Sequence, residues 1–308
     1  MNADDFPRVP LGSWAEDGID WLTDNADWLF SAFSTVMRFL IDNLETALSS
    51  IPTFIAIAIF GLIGWFVRSW RLALGTVLAF LLVLSMRQWT TLLETMALVL
   101  VATLVAVIIA VPLGIWAAKS NTVSAIVRPI MDFMQTMPAF VYLIPAVTFF
   151  SIGVVPGLFS TIIFALPPGV RMTELGIRQV DRETVEAGEA FGASSWQILR
   201  GIQLPLAVPS IMAGINQVIM LSLSMAVIAG MVGAPGLGQQ VVAAISTLNL
   251  AQGVEAGLAV VFLAVYLDRL TAALGNASEY PHSLWAKLRG RRQAAATAAA
   301  RETSEKSS

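Results

Sequence analysis

The sequence predicts an all-α polytopic membrane protein of about seven transmembrane helices. Three observations carry that prediction. Of the residues, 56% are hydrophobic and only 13% are charged, with a mean hydropathy of +0.75, whereas a soluble domain carries about 25% charged residues. Uncharged stretches recur near the roughly 20 residues that a spanning helix needs. The lysines and arginines are also shared unequally between alternate loops.

The first fifty residues read as an external region. Residues 1–20 lack a basic start and carry Asp4, Asp5, Glu16, Asp17 and Asp20, so no secretory signal is expected and insertion is assigned to internal spans. From Leu29, the residues Phe33, Val36, Met37, Leu40, Leu44 and Leu48 recur at helical spacing, with Arg38, Asp42, Asn43 and Glu45 on the other face. That is an amphipathic helix for the membrane interface. It serves either as a collar on the bundle or as a dock for an external partner.

The spans follow in order. Ile51–Val67 is the first, and Leu72–Met86 a short second, with Trp70 and Trp89 placed to anchor its ends while Arg71 and Arg87 reach outward. Residues 51–88 thus form two accessory helices ahead of a core at 89–275. Thr95–Ala118 is a full span. Phe133–Val170 is too long for one helix, and Val155-Pro156-Gly157 offers a turn to divide it. A span at about 207–232 leads into the Gly/Pro segment Gly230–Gly238, read as a tight re-entrant turn, and the last span covers about 254–274. Residues 276–308, with the single histidine His282, read as a polar cytoplasmic tail.

With the loop at 178–204 inside, fifteen lysines and arginines fall on the cytoplasmic side and three, Arg8, Arg38 and Arg87, fall outside. The N-terminus is then outside and the C-terminus cytoplasmic.

The longest charged inside loop, Asp181–Pro205, carries the functional signal. Thr184–Phe191 favours helix and Gly192 breaks it. Ser194 or Ser195 then caps a second short helix, Trp196–Ile202, expected to stop before Pro205. A helix–glycine–helix elbow with an apolar tip of Ala190, Phe191 and Ala193 suits a groove on another protein.

This segment resembles the EAA loop of bacterial ABC-importer permeases: Glu-Ala-Ala, three residues, Gly, nine residues, Ile-x-Leu-Pro. Here it reads Glu186-Ala187-Gly188, then Gly192, then Ile202-Gln203-Leu204-Pro205, with Gly188 as the one departure. Residues 90–275 are similar to the glycine betaine/proline betaine/choline branch of these permeases. The segments that carry this likeness are Met137–Pro145, Ala165–Arg171, Gly233–Gly238 and Leu267–Leu270.

The resemblance implies a bacterial inner-membrane protein whose last five spans form a type I importer core. It implies a second permease copy, two ABC ATPase subunits and an external solute-binding protein, besides the lipid bilayer. No nucleic-acid partner is expected. Glu186, Ala187, Gly188, Gly192, Ile202, Leu204 and Pro205 would couple the spans to the ATPase.

The energy source is read from what the sequence lacks. None of Lys119, Lys287 and Lys306 sits in a Gly-x4-Gly-Lys-Ser/Thr phosphate loop, so the chain is not expected to be an enzyme. ATP and magnesium would be used by the partner ATPase, with no cofactor in this chain. Proton- or sodium-coupled carriers place acidic residues within their spans; here Glu94, Asp132, Glu174, Glu255 and Asp268 fall near predicted ends. A stand-alone secondary transporter and a related importer for an amino acid are the rival readings.

With no cysteine, disulfides and thiolate metal sites are excluded, and no metal site is expected. Phe133, Gln135, Phe140, Tyr142 and Asn216 are the candidate translocation path, since a quaternary ammonium solute is drawn to aromatic faces. Polar residues among these can equally tie helices together. Met131, Met134 and Met137 fit core packing or a site.

Overall fold

The computed structural model describes residues 10–275. The predicted tail, His282, and Asp4, Asp5 and Arg8 lie outside the described residues. Among the described residues all regular structure is helical.

Helix α1 (Leu11–Ser49) changes direction at Ala26. Its second half packs on the bundle through Phe33, Met37, Leu40, Leu44 and Leu48 of the predicted apolar stripe, and through Ile41, which that stripe did not include. Val36 falls off that stripe and is exposed. Phe30 stacks on Phe149 at 4.3 Å, and Phe33 meets Phe150 and Phe159. The helix therefore lies against the bundle as a collar, while Trp14, Trp21 and Trp28 remain exposed.

Helices α2 (Thr53–Val67) and α3 (Trp70–Ser85) form a hairpin. Ser69 caps α3 by accepting from the Leu72 N–H. Arg87, at φ +58°, then turns the chain into α4 (Trp89–Lys119). This corrects the reading of Trp89 as an interface anchor. The turn directs it inward, where it is buried with Phe60, Phe80 and Tyr266.

Helices α4, α7 (Val154–Arg178) and α10 (Leu204–Ala229) form the centre of the core. Small residues let their backbones approach, as in other membrane bundles. A Cβ on Gly114 would stand 2.7 Å from the Val170 carbonyl, and one on Gly169 2.8 Å from Ala110 Cβ.

Between α4 and α7, α5 (Asn121–Thr136) stops at Met137-Pro138. A 3-10 turn (Ala139–Tyr142) then leads into α6 (Leu143–Phe150), the two limbs meeting at 107°. The predicted divide at Val155-Pro156-Gly157 is corrected: these residues form the first turn of α7. The break is at Ser151–Gly153, where φ is +60° and +144°. Proline is at home in a first helical turn, where its missing N–H would be unpaired anyway.

After α10, a 3-10 turn (Gly230–Val232) and glycines at φ +83° (Gly233) and +114° (Gly236) fold the chain into the short helix α11 (Leu237–Ser246). The Leu237 N–H is capped from α4 by Thr95 Oγ1 at 2.8 Å. Helix α12 (Leu250–Gly275) completes the bundle.

Among the described residues, four helical stretches can cross a membrane by length and composition, and six spans result if each bent pair, α1–α2 and α5–α6, counts as one. The remaining predicted segment is α3, whose 16 residues extend about 24 Å against a hydrocarbon core of about 30 Å.

Candidate functional site: the elbow between α7 and α10

Asp181 caps helix α8 (Arg182–Ala190) by accepting from the Glu183 N–H. Gly192, at φ +77°, ends it. The Gly192 N–H donates to the Glu189 carbonyl at 2.8 Å and the Ala193 N–H to the Gly188 carbonyl at 3.1 Å. These are the paired bonds of a Schellman stop, which favours glycine at the left-handed position.

Ser194 then opens α9 (Ser195–Ile198) with a reciprocal capping box to Gln197. The expectation that the second arm stops before Pro205 is corrected. α9 passes through a π-helical stretch (Leu199–Gln203) into α10, with Pro205 in its first turn. The Leu204 N–H reaches back five residues to the Leu199 carbonyl, widening the turn into which the proline ring fits.

The root of the elbow is sealed by a cluster of Ile177, Leu199 and Ala207, against which Leu204 packs. Gly188 faces the second arm, where an added Cβ would stand 2.8 Å from Ile202 Cδ1. The residue that departs from the Glu-Ala-Ala pattern thus lies where Ile198 and Ile202 of the second arm leave no room for a Cβ. Glu186 and Ala187 are exposed, with Glu186 paired to Arg182 at 2.7 Å. Phe191, at the end of α8, is 93% exposed, and Trp196, in α9, is 65% exposed. Trp196 was not singled out by the sequence reading, although its place in a polar short helix marks it as an apolar residue without a core to enter.

Also missed was a polar hub at the elbow's first root. The Glu174 carboxylate, side chain 5% exposed, accepts from Ser124 at 2.7 Å and pairs with Arg128 and Arg178, each at 2.9 Å. The available signal was a Glu–Arg pair four residues apart at the end of an apolar stretch.

The structure divides the candidate path. Phe133, Gln135 and Phe140 are exposed on the α5–α6 limb. Tyr142 is buried, its hydroxyl donating to the Met134 carbonyl. Asn216 ties helices together, donating to Asp268 at 3.0 Å and accepting from Thr271. Phe149 and Phe150 face α1. Met131 is buried, with Met134 packed beside it and Met137 in a neighbouring cluster, which is the packing alternative.

Residues 110–277 match the family described as "Binding-protein-dependent transport system inner membrane component". The chain is 47% identical to the glycine betaine transport system permease protein OpuAB of Bacillus subtilis, over 87% of this chain and 95% of that one. It is 44% identical to the glycine betaine/proline betaine transport system permease protein ProW of Escherichia coli, over 88% of this chain and 76% of that one. Its fold resembles an inward-facing structure of the MetNI methionine ABC transporter, with a TM-score of 0.55 and 22% identity over 62% of this chain and 95% of that one. The chain belongs to the binding-protein-dependent transport system inner-membrane component family.

Proposed function

We propose that this chain is the permease through which glycine betaine and related quaternary ammonium solutes, choline and proline betaine among them, enter the cell. The observation that carries the reading is its 47% identity, over nearly its whole length, to a glycine betaine permease. Two copies would pair with two ABC ATPase subunits that use ATP and magnesium, and an external solute-binding protein would deliver the cargo. The elbow supports this division of labour. Its arms are fixed by local caps, its root is sealed, and Phe191 and Trp196 project as an apolar tip for a groove. Closure of the ATPases would move the elbow and switch the spans between outward and inward access.

The decisive experiment is uptake by the complete importer in liposomes with its own binding protein. Glycine betaine, choline or proline betaine is expected to be taken up in preference to a neutral amino acid; the reverse preference would overturn the cargo. Phe140 is 55% exposed on the α5–α6 limb, and Pro138 opens the helix wall beside it. A cation–π contact contributes about 0.5–2 kcal/mol. Phe140→Ala is therefore expected to slow betaine uptake several-fold with assembly unchanged, and Phe140→Trp to keep most of it.

The orientation has its own test. The fifteen-to-three asymmetry of cations places residues 1–50 outside and 276–308 inside. Because the chain has no cysteine, Ser13→Cys and Ser304→Cys each introduce a unique label site. An impermeant thiol reagent on intact cells is expected to label the first alone. Labelling of the second alone would reverse the orientation, and labelling of both would mean that one span was miscounted.

A further inference from the structure

Both roots of the elbow are tied to one corner of the bundle, the turn from α4 into α5. At the first root, Glu174 near the end of α7 holds Ser124 and Arg128 of α5. Arg178, on the next turn of α7, pairs with Glu174 and extends the tie, donating to Asn121 Oδ1 at 2.9 Å and to the Ala117 carbonyl at 2.8 Å. At the second root, Lys119 at the end of α4 donates to Gln203 Oε1 in the π-helical stretch at 2.7 Å. Further along α5, Asp132 pairs with Arg171 of α7.

Packing alone does not account for this hub. Taking a carboxylate out of water is costly, and well-packed apolar residues commonly hold two helices together as well or better. Charge-assisted bonds to one carboxylate add direction: they fix how α5 sits on α7, not only that it does. α5 runs as one helix of 16 residues, with Pro129 in its interior next to Arg128. Its first half is held by Glu174, and at its far end lies the break at Met137-Pro138, followed by Phe140. Displacement of the α7 end would therefore be carried along α5 to the limb that bears Phe133 and Phe140.

We propose that Glu174 is a positioning residue for energy coupling, passing movement of the elbow through Ser124 and Arg128 to the bent α5–α6 limb. This rests on the reading of the elbow as the contact with the ATPase. It assigns coupling to a residue outside the elbow whose side chain is only 5% exposed.

The test measures ATP hydrolysis and betaine uptake on the same liposomes holding the complete importer and its binding protein. For Glu174→Gln, hydrolysis stimulated by the loaded binding protein is expected to stay near the parent's. Betaine moved per ATP is expected to fall about fivefold or more, the lower end of ordinary coupling between sites. Arg128→Gln removes only the charged tie to α5, leaving Ser124 and Arg178 on Glu174, and its side chain is 59% exposed, so folding is preserved and a fall in the same direction is expected. Arg128→Gln decides the matter if Glu174→Gln fails to assemble. An unchanged ratio of solute to ATP in Arg128→Gln overturns the proposal, as does a parallel loss of uptake and hydrolysis, which marks a structural role. Failure of the elbow reading itself would show separately, as full uptake and stimulated hydrolysis by both Gly192→Pro and Glu186→Lys.

Discussion

Gly192→Pro abolishes solute-stimulated ATP hydrolysis and uptake while leaving the chain inserted in the membrane: that is the result expected from the geometry of the elbow. Gly192 sits at φ +77°, whereas proline is fixed near −65°. Proline also lacks the N–H that Gly192 donates to the Glu189 carbonyl. The stop between α8 and α9 must therefore rearrange, and the arm bearing Glu186 and Phe191 loses its orientation against the arm bearing Trp196. Nothing in α8 is buried, so the spans have no need to follow. Gly192→Ala keeps the N–H and faces only the left-handed cost of about 1–2 kcal/mol; partial activity is expected. Glu186→Lys tests the contact instead of the backbone. Its ion pair with Arg182 is exposed and contributes little stability, so a matching loss of stimulated hydrolysis would arise at the partner surface. The readouts are hydrolysis with and without loaded binding protein, uptake, and the amount of chain in the membrane fraction. Normal uptake by both Gly192→Pro and Glu186→Lys would refute the role of the elbow.

The elbow was legible because its signals are local. Asp181, Gly192 and Ser194 each act on backbone groups within a few residues, so their order along the chain is already their structure. The long helices α4, α7, α10 and α12 were legible for a similar reason: a long apolar stretch with few charges, held near its ends, has few alternatives to a spanning helix. What failed depended on contacts distant in sequence. Pro156-Gly157 reads equally well as a turn or as a first helical turn. Tertiary contacts accompany the second outcome, because the Gly153 N–H donates to the Val232 carbonyl and Gly157 packs against Ala229 and Ala234. Pro205 reads as a stop unless a π-helical turn precedes it, and no local residue announces that turn. The partners of Glu174 on α5 lie 46 and 50 positions away, so a carboxylate near a span end gave no hint of its hub. Asn216 was ambiguous by composition alone, and only the fold brings Asp268 and Thr271 to it.

The segment from α10 into α11 yields the second large effect. Gly230 and Gly238 lie where the end of α10 meets the start of α11, and the two backbones touch there. A Cβ on Gly238 would stand 2.5 Å from the Ala226 carbonyl oxygen and 2.7 Å from Val227 Cα, and one on Gly230 would stand 2.4 Å from the Gly238 carbonyl carbon. These neighbours are main-chain atoms, which cannot rotate aside as a side chain can. Gly238→Ala must therefore push α11 away from α10. Its Leu237 N–H would move off Thr95 and leave a buried donor unpaired, at about 1–3 kcal/mol, in addition to overpacking of about 1–3 kcal/mol. Together these are a large part of the 5–15 kcal/mol that typically holds a folded protein. Gly257→Ala is the control. It lies half-buried within α12 with nothing within 4 Å of the added Cβ, and in a helix interior alanine is favoured over glycine by about 1 kcal/mol. After graded heating of the detergent-solubilised complex, Gly238→Ala is expected to lose its folded fraction well below the parent temperature and to give little uptake in liposomes. Gly257→Ala is expected to match or exceed the parent in both. Parental heat resistance and uptake in Gly238→Ala would mean that α11 can leave α10 at no cost, and that the close glycine contact is not what holds the re-entrant turn.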